Sequence, residues 1–535
     1  VWADKKEDVR EQFKSKSPVF VLDKKKSFTE SKILENNILI EGDNFDALSL
    51  LNYSHKGKID VIYIDPPYNT GARDWKYNNS YVDSEDPYRH SKWISFIHSR
   101  LILAKSLLSN EGVICVTIDD YELPRLLIIM EEIFGRNNFL GNVVIRNNPG
   151  GRKSKRKVAA QHEYALFFSK NPQTSVAKLD IDIEEKSHKY IKNDKGEWVE
   201  PRNLRKEGSD SLAKKDSERF YPIYFDPKTG RISSKDILPI EILPIDTKGE
   251  KRIWRRSKDV IDELYKKNEL SIKKTKYGNQ VYFEFKGGLQ GETPKSLLLD
   301  SKYSASEHGT SELDNILGKR EAFNFPKSKY ATADCIRIAS SKKNAIVLDF
   351  FAGSGTTGQA VLELNKKDGG KRKFILCTNN ENNIAEEVCY ERIKRVIKGY
   401  RNKGESSSKG LGGNLKYFTI SNVPRGNKDS DKKILANKMN DLICLKEDTF
   451  DNLKVSNGFQ IYKSAYSCVA IIHDILFISD AKKELNKIDL PVNIYIFSLS
   501  DDNYEDEFEE IENINKIHVF PSPLVKTYSR IVEKI

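Results

Sequence analysis

The sequence predicts an α/β protein: a mostly parallel sheet covered by helices on both faces, carrying an inserted domain and followed by a small C-terminal α/β domain. Three observations support this. Strand-like and helix-like segments alternate from about residue 37; the alternation fails between about 171 and 320; and it returns near 345. With 535 residues, 38% hydrophobic and 31% charged, the chain has the composition of a folded, multidomain protein.

The elements follow in order. Ile38-Leu39-Ile40 is a short apolar strand, and Asn44 to Leu51 has helical periodicity. Ile59 to Ile64 (IDVIYI) has the length and branching of a buried strand. Ser91 to Leu108 places Ile94, Ile97, Leu101, Ala104 and Leu108 at steps of three and four, an amphipathic helix stopped by Asn110-Glu111-Gly112. A strand over Gly112–Ile118, a helix over Leu123–Phe134, and strands at Val143–Ile145 and Tyr164–Phe168 come next. The stretch 171–320 is polar and Lys-rich and includes Gly287-Gly288-Leu289-Gln290-Gly291; it reads as a mixed insert. Ala345–Phe350 is again a strand, followed by a glycine turn and a helix through Leu364. A strand over Phe374–Thr378 and a helix from Ile384 to about Tyr400 complete this part. A Gly-, Ser- and Lys-rich linker leads to a last region with strands at Ala470–Ile472 and Val492–Phe497.

Composition narrows the class of function. The net charge of +11 favours polyanionic partners. Positive charge is concentrated mid-chain. Arg152, Lys153, Lys155, Arg156 and Lys157 crowd one glycine-led loop, and Lys251, Arg252, Arg255 and Arg256 surround Trp254, as a phosphate-contacting surface requires. The C-terminal third carries an acidic run from Asp501 to Glu512. No apolar run reaches about 18 residues, so no transmembrane helix is expected. The six cysteines form no CxxC pair, which points to reduced thiols in a cytoplasmic protein without a metal site. The chain opens at Val1 in a charged stretch without a signal-peptide pattern, as if its native N-terminus were missing.

Two motifs carry chemistry. Leu348-Asp349-Phe350-Phe351-Ala352-Gly353-Ser354-Gly355-Thr356-Thr357-Gly358 places G-x-G-x-x-G between a strand and a helix, where glycines let a ligand approach the backbone. Alone, that loop fits a nicotinamide site, another nucleotide site or a tight turn; the lysine of a P-loop is missing. The other motif, Asp65-Pro66-Pro67-Tyr68, leaves the end of the buried strand Ile59–Ile64. Its prolines offer no N–H donors, so the turn presents carboxylate and carbonyl acceptors beside a ring. An exocyclic amine needs such acceptors, and an extruded base needs a flat face.

Together the motifs resemble those of amino-methyltransferases acting on DNA, the adenine-N6 and cytosine-N4 enzymes. The run Ile62–Gly71, followed by Trp93 and the Arg100–Leu108 helix and later Asp349–Thr357, is similar to the modification subunit of type III restriction systems. The order of acceptor motif, insert and glycine loop matches that family's circularly permuted β class. The resemblance implies a permuted Rossmann-like methyltransferase sheet with catalytic residues Asp65, Pro66, Pro67 and Tyr68. It implies an S-adenosylmethionine site at Asp349, Phe350, Ala352, Gly353, Ser354, Gly355 and Thr356, with Phe325, Pro326 and Lys327 as a further cofactor segment. Asp43 is placed to accept the cofactor adenine's amine, a role compatible with capping the helix that follows. The ribose-binding acid expected after Phe374–Thr378 is missing, and Asn379 or Glu381 stands in its place. His162-Glu163-Tyr164 falls where the family has a segment near the target base, although Tyr164 equally suits a strand core.

The divisions so implied are an N-terminal extension (1–36), a catalytic half (37–170), a target-recognition insert (171–320), a cofactor half (321–402), a linker (403–414) and a C-terminal domain (415–535). Double-stranded DNA, a second copy of the chain and a helicase-nuclease subunit are the implied partners. An Asp before Pro-Pro-Tyr favours adenine over cytosine N4. A subunit whose main duty is to target a partner nuclease is the competing class, since the C-terminal region adds nothing evident to methylation. A nicotinamide dehydrogenase would leave Asp65–Tyr68 unexplained. No Pro-Cys dipeptide is present, which argues against methylation at cytosine C5.

Overall fold

The computed structural model describes residues 15–31, 34–77, 80–83, 85–151, 158–179, 189–214, 217–286, 291–401, 408–425, 428–500, 502 and 504–534. The chain divides into two units, one of residues 1–177 with 295–535 and one of residues 178–294.

In the first unit the elements are β1 (Lys16–Phe28), β2 (Asn36–Glu41), α1 (Asn44–Ser54), β3 (Ile59–Ile64), α2 (Arg89–Leu107), β4 (Leu108–Ile118), α3 (Leu123–Phe134), β5 (Phe139–Ile145) and β6 (Glu163–Ser169). After the insert come β7 (Leu297–Leu298), α4 (Lys329–Ala339), β8 (Ile346–Asp349), α5 (Thr356–Asp368), β9 (Lys373–Thr378), α6 (Glu391–Lys398) and β10 (Asn414–Pro424). These strands form one sheet in the order β1-β10-β2-β9-β8-β3-β4-β6-β5-β7.

The middle of the sheet is parallel. Ile375 pairs with Ile38 and Leu348 with Ile375; Leu348 pairs in turn with Ile62, and Ile62 with Ile114. Burial on both faces explains why β3 reads as a continuous apolar run. Ile62 and Ile64 join Leu48, Trp93, Ile97 and Leu101 of α1 and α2 in one core, while the Tyr63 hydroxyl faces Thr332 of α4 on the other side. Both faces are therefore covered. β6 departs from the parallel pattern: it runs antiparallel to both β4 and β5.

Three expected divisions shift. Residues 16–28, expected in an extension, form the edge strand β1, antiparallel to β10 with Phe20 opposite Ile420. Residues 295–320 belong with the sheet unit, with β7 parallel to β5. Residues 415–424, expected in a separate C-terminal domain, lie in β10 between β1 and β2, with Leu415, Tyr417 and Phe418 fully buried. The pairings of β10 with β1 and β2 join segments nearly 400 positions apart, and local periodicity holds no record of such partners.

The C-terminal region adds α7 (Asp429–Asn437), α8 (Asn440–Glu447), β11 (Asp451–Val455), β12 (Phe459–Lys463), β13 (Cys468–Ile472), α9 (Ile478–Leu485), β14 (Val492–Phe497), β15 (Ile514–Phe520) and α10 (Ser522–Lys534). Its five strands form their own sheet in chain order. Its helices are shared, however. Leu442 and Ile443 of α8 and Leu524 and Tyr528 of α10 enter the same core as α1, and the Tyr528 hydroxyl donates to the Pro18 carbonyl at 2.6 Å.

The second unit holds a four-stranded sheet (Leu270–Thr275, Gly278–Phe285, Trp198–Asn203, Ile191–Lys192) and a three-stranded one (Ile232–Ser233, Ile223–Phe225, Ile240–Ile242) around Leu204, Ile223, Trp254, Ile261 and Val281.

Candidate functional site

Because β2, β9, β8 and β3 are neighbouring parallel strands, their carboxyl ends form one edge, and that edge carries both motifs. In such sheets this is where ligands sit. Asp43 follows β2, Asn379 follows β9, the glycine loop follows β8 and Asp65–Tyr68 follows β3. The two motifs, some 280 positions apart in the chain, thus leave adjacent strands. The Asp65 carboxylate is close enough for its charge to act on Asp349.

At the acceptor motif, Thr117 at the end of β4 donates to Asp65 Oδ1 at 2.6 Å. Trp93 of α2, fully buried, donates from Nε1 to the Pro67 carbonyl at 2.7 Å and pins the turn. Asn69 takes a positive φ of 56° and gives its amide to the buried Glu122 carboxylate, which also pairs with His90. Tyr68 is thereby aimed at Glu163, to which its hydroxyl donates at 3.0 Å.

Lys327 enters this cluster. Its ammonium lies 3.1 Å from Asp65 Oδ1, pairs with Glu163 and the Tyr68 hydroxyl, and stands 4.6 Å from the Tyr68 ring centre. Asn147 donates to Glu163 as well, at 2.7 Å. Burial disfavours the charged ammonium, but Asp65 and Glu163 outweigh it and hold the Lys327 pKa above the ordinary lysine value. Burial and the same two carboxylates drive the Tyr68 phenol well above its usual range, so the ring stays neutral.

The glycine loop is a close-fitting turn. Gly353 (φ +48°) and Gly355 (φ +79°) occupy the left-handed region, and a Cβ on either would meet Phe323 at 3.1 Å or Cys389 at 3.0 Å. Ala352 N–H donates to the Cys377 carbonyl of β9 at 3.0 Å. Asp349 accepts from Thr357 Oγ1 at 2.6 Å and from the Phe351 N–H at 2.9 Å. Arg392, fully buried on α6, donates to Gln359 Oε1 (2.9 Å), Ser354 Oγ (3.0 Å) and Thr356 Oγ1 (2.8 Å). Phe350 is buried, and its carbonyl accepts from Asn44 at 3.1 Å. Asn44 in turn accepts from the buried Arg100 at 2.5 Å.

Burial lifts the Asp349 carboxyl from 3.8 to about 7 against the pull of its two donors, with Asp65 adding to the rise. Folding therefore retains a proton that the unfolded chain releases. The stability that this adds is complete below pH 3.8 and is lost as pH climbs through about 7. Asp349→Asn removes the dependence. The difference in unfolding free energy between this variant and the parent is expected to shift in the variant's favour by up to about 4 kcal/mol across that window. Denaturant unfolding of the cofactor-free protein at a series of pH values measures it.

Other expected residues fall as follows. Asp43 caps α1, accepting from the Phe45 N–H at 2.7 Å, and its side chain remains half exposed beside Arg100 at 3.7 Å. Phe325 has a positive φ and is 71% exposed, while Pro326 is buried. Asn379 is exposed, Glu381 is half buried, and Asn382 and Asn383 have positive φ just ahead of Ile384, where the helical segment begins as expected. The basic cluster Arg152, Lys153, Lys155, Arg156 and Lys157 lies outside the described residues.

Arg252, expected on DNA, spends its donors inside the insert on Asp246 (2.7 Å), Glu250 (2.6 Å), the Gly208 carbonyl and Ser211. Arg255 donates to the Asn203 carbonyl, and Trp254 is buried in the core of the insert. Arg256 is exposed, 5.1 Å from the Phe283 ring centre. Composition ranked these cations alike; the carboxylates beside them in space separated them.

Glu163, Thr117 and Arg392 were not among the expected site residues. Glu163 lies in a segment already marked as near the base. Arg392 gives one weak signal, an arginine beside Ile393, Val396 and Ile397 on the apolar face of α6.

Residues 59–389 match the DNA methylase family model of N6/N4 methyltransferases. The chain belongs to that family. It is 35% identical to the type II methyltransferase M.KpnI of Klebsiella pneumoniae over 71% of this chain and 88% of that protein. It is 31% identical to the type III EcoPI Mod subunit of Escherichia phage P1 over 72% of this chain, and 30% identical to the StyLTI Mod subunit of Salmonella typhimurium over 70%. The matched regions span 65% and 59% of those two Mod subunits. The protein is thus an α/β DNA methyltransferase whose cofactor is S-adenosylmethionine. Its glycine cradle, which side chains would fill, fits such a group. Among the described residues no helix is long and apolar enough to cross a membrane.

Proposed function

We propose that this DNA methyltransferase acts on N6 of an adenine turned out of double-stranded DNA, as the modification and recognition subunit of a type III restriction-modification system. The observation that carries the reading is the pairing of an acceptor-rich strand end, Asp65–Tyr68, with a left-handed glycine cradle on the adjacent strand. Bound at Gly353–Thr356, S-adenosylmethionine supplies a methyl group made electrophilic by its sulfonium.

The residues of the chain do the rest. An aromatic amine is a poor nucleophile because its lone pair is delocalised into the ring. Asp65 and the Pro66 carbonyl accept its two hydrogens and favour a pyramidal nitrogen. Methyl transfer from the sulfonium would leave the bonding electron pair on its sulfur, and Asp65 would receive the proton that the amine releases. Tyr68 stacks on the base, worth about 1–3 kcal/mol. Fixing the two reactants together contributes more, about 7–11 kcal/mol in the best cases. Asp349, Phe350, Ala352, Ser354, Asp43 and either Asn379 or Glu381 would line the cofactor, with Phe325 and Pro326 beside them.

Recognition falls to the insert, with its Arg256, and Arg152–Lys157 ahead of the insert, on phosphates. A homodimer working in the cytoplasm with a helicase-nuclease partner completes the reading; type III Mod subunits are among the similar proteins. The test is tritium transfer to duplex DNA followed by digestion and nucleoside analysis. N6-methyladenine is expected; N4-methylcytosine would move the reading to the cytosine enzymes, and no methylated base would overturn it.

A further inference from the structure

The expected cofactor segment Phe325-Pro326-Lys327 ends in a side chain turned to the other motif. We propose that Lys327 reads the ring nitrogen beside the target amine, donating to it while Asp65 accepts from the amine itself. The inference rests on the reading of the pocket above.

Asp65 Oδ1 and Lys327 Nζ stand 3.1 Å apart, an acceptor next to a donor, at the hydroxyl end of Tyr68. The edge that complements such a pair is an amine next to a ring nitrogen carrying a lone pair. Adenine presents that edge at N6 and N1. Guanine and thymine present a carbonyl next to an N–H, the reverse order, and would set carbonyl against carboxylate and N–H against ammonium. Lys327 therefore rejects the keto bases by unpaired polar groups rather than by size.

Glu163 makes this role available. It is 2% exposed, pairs with Lys327 and accepts from Asn147, so the ammonium keeps a counter-charge when Asp65 turns to the amine. The lysine stays charged in that setting, and a charged donor gives a stronger hydrogen bond than a neutral one.

The experiment uses the whole chain and duplex DNA carrying either adenine or 1-deazaadenine, in which C–H replaces the ring nitrogen, at the methylated position. For the parent, kcat/KM is expected to fall about 10- to 100-fold on the deaza base, the size of one charge-assisted hydrogen bond. Lys327→Met should lose a similar factor on adenine and nothing further on the deaza base, while its S-adenosylmethionine affinity, measured by calorimetry, stays that of the parent. Equal further loss on the deaza base overturns the inference, as does weakened cofactor binding with base discrimination intact. If the nucleoside test returns N4-methylcytosine, 3-deazacytosine replaces the analogue and the same outcomes decide. A parent inactive on every DNA would defeat the functional reading itself, whereas an active parent with additive losses defeats only the assignment of Lys327.

Discussion

Asp65→Ala should lower kcat for methyl transfer by at least about 10³-fold, within the range that a positioned acid or base contributes, while S-adenosylmethionine binding is retained. Two features make this a clean test. Asp65 is not buried deep in the core, and the groups that hold its turn, Trp93 on the Pro67 carbonyl and Glu122 on Asn69, do not depend on its carboxylate. Removing the side chain leaves Thr117 and Lys327 each short of one acceptor, but Lys327 keeps Glu163. The stability cost is therefore about 1–3 kcal/mol, measurable by denaturant unfolding alongside the rate. Asp65→Asn keeps one acceptor oxygen without the charge and should fall between parent and alanine. Methylation by Asp65→Ala within tenfold of the parent would remove the carboxylate from the mechanism.

The second large effect is expected at Arg392. Burial draws its pKa down to about 10, against the opposing pull of Glu312, so it is still charged at neutral pH. Its guanidinium ties α6 to Ser354 and Thr356 of the loop and to Gln359 of α5. Gln359 donates onward to Glu312 at 2.9 Å and Glu363 at 2.8 Å, both paired with Lys329. Arg392→Ala leaves a cavity and several buried acceptors without a donor, a loss of about 3–5 kcal/mol. Arg392→Met preserves most of the volume and should cost less. In both variants the glycine loop loses its brace, so cofactor affinity should fall together with thermal stability. An unchanged affinity in the methionine variant would show that α6 supports the fold alone.

How much of this could be read from residue order differs from site to site. The turn Asp65–Tyr68 and the loop Asp349–Thr357 announce themselves, because each combines a strand with residues whose backbone limits are local: prolines without donors, glycines at positive φ. The helix Leu123–Phe134 and the strand Ile59–Ile64 were delimited for the same reason, since periodicity within one segment reports which faces are covered. Glu163 and Arg392 were harder. An acidic residue opening a strand and an arginine on a helix are common, and only their partners, Lys327 and Tyr68 for the one and Ser354 and Thr356 for the other, make them part of the site.

Residue order by itself determined the chemistry on offer: an acceptor turn with a ring, a glycine cradle and the alternating segments that carry them. Tertiary structure decided which of these meet. It set β8 beside β3, drew residues 16–28 and 414–424 into one sheet, turned Lys327 toward Asp65, and consumed Arg252 in ion pairs. The physical reason is range. Backbone preference and periodicity act over a few residues, whereas strand neighbours and ion pairs are chosen by a global minimum in which buried faces and charges are matched across hundreds of positions.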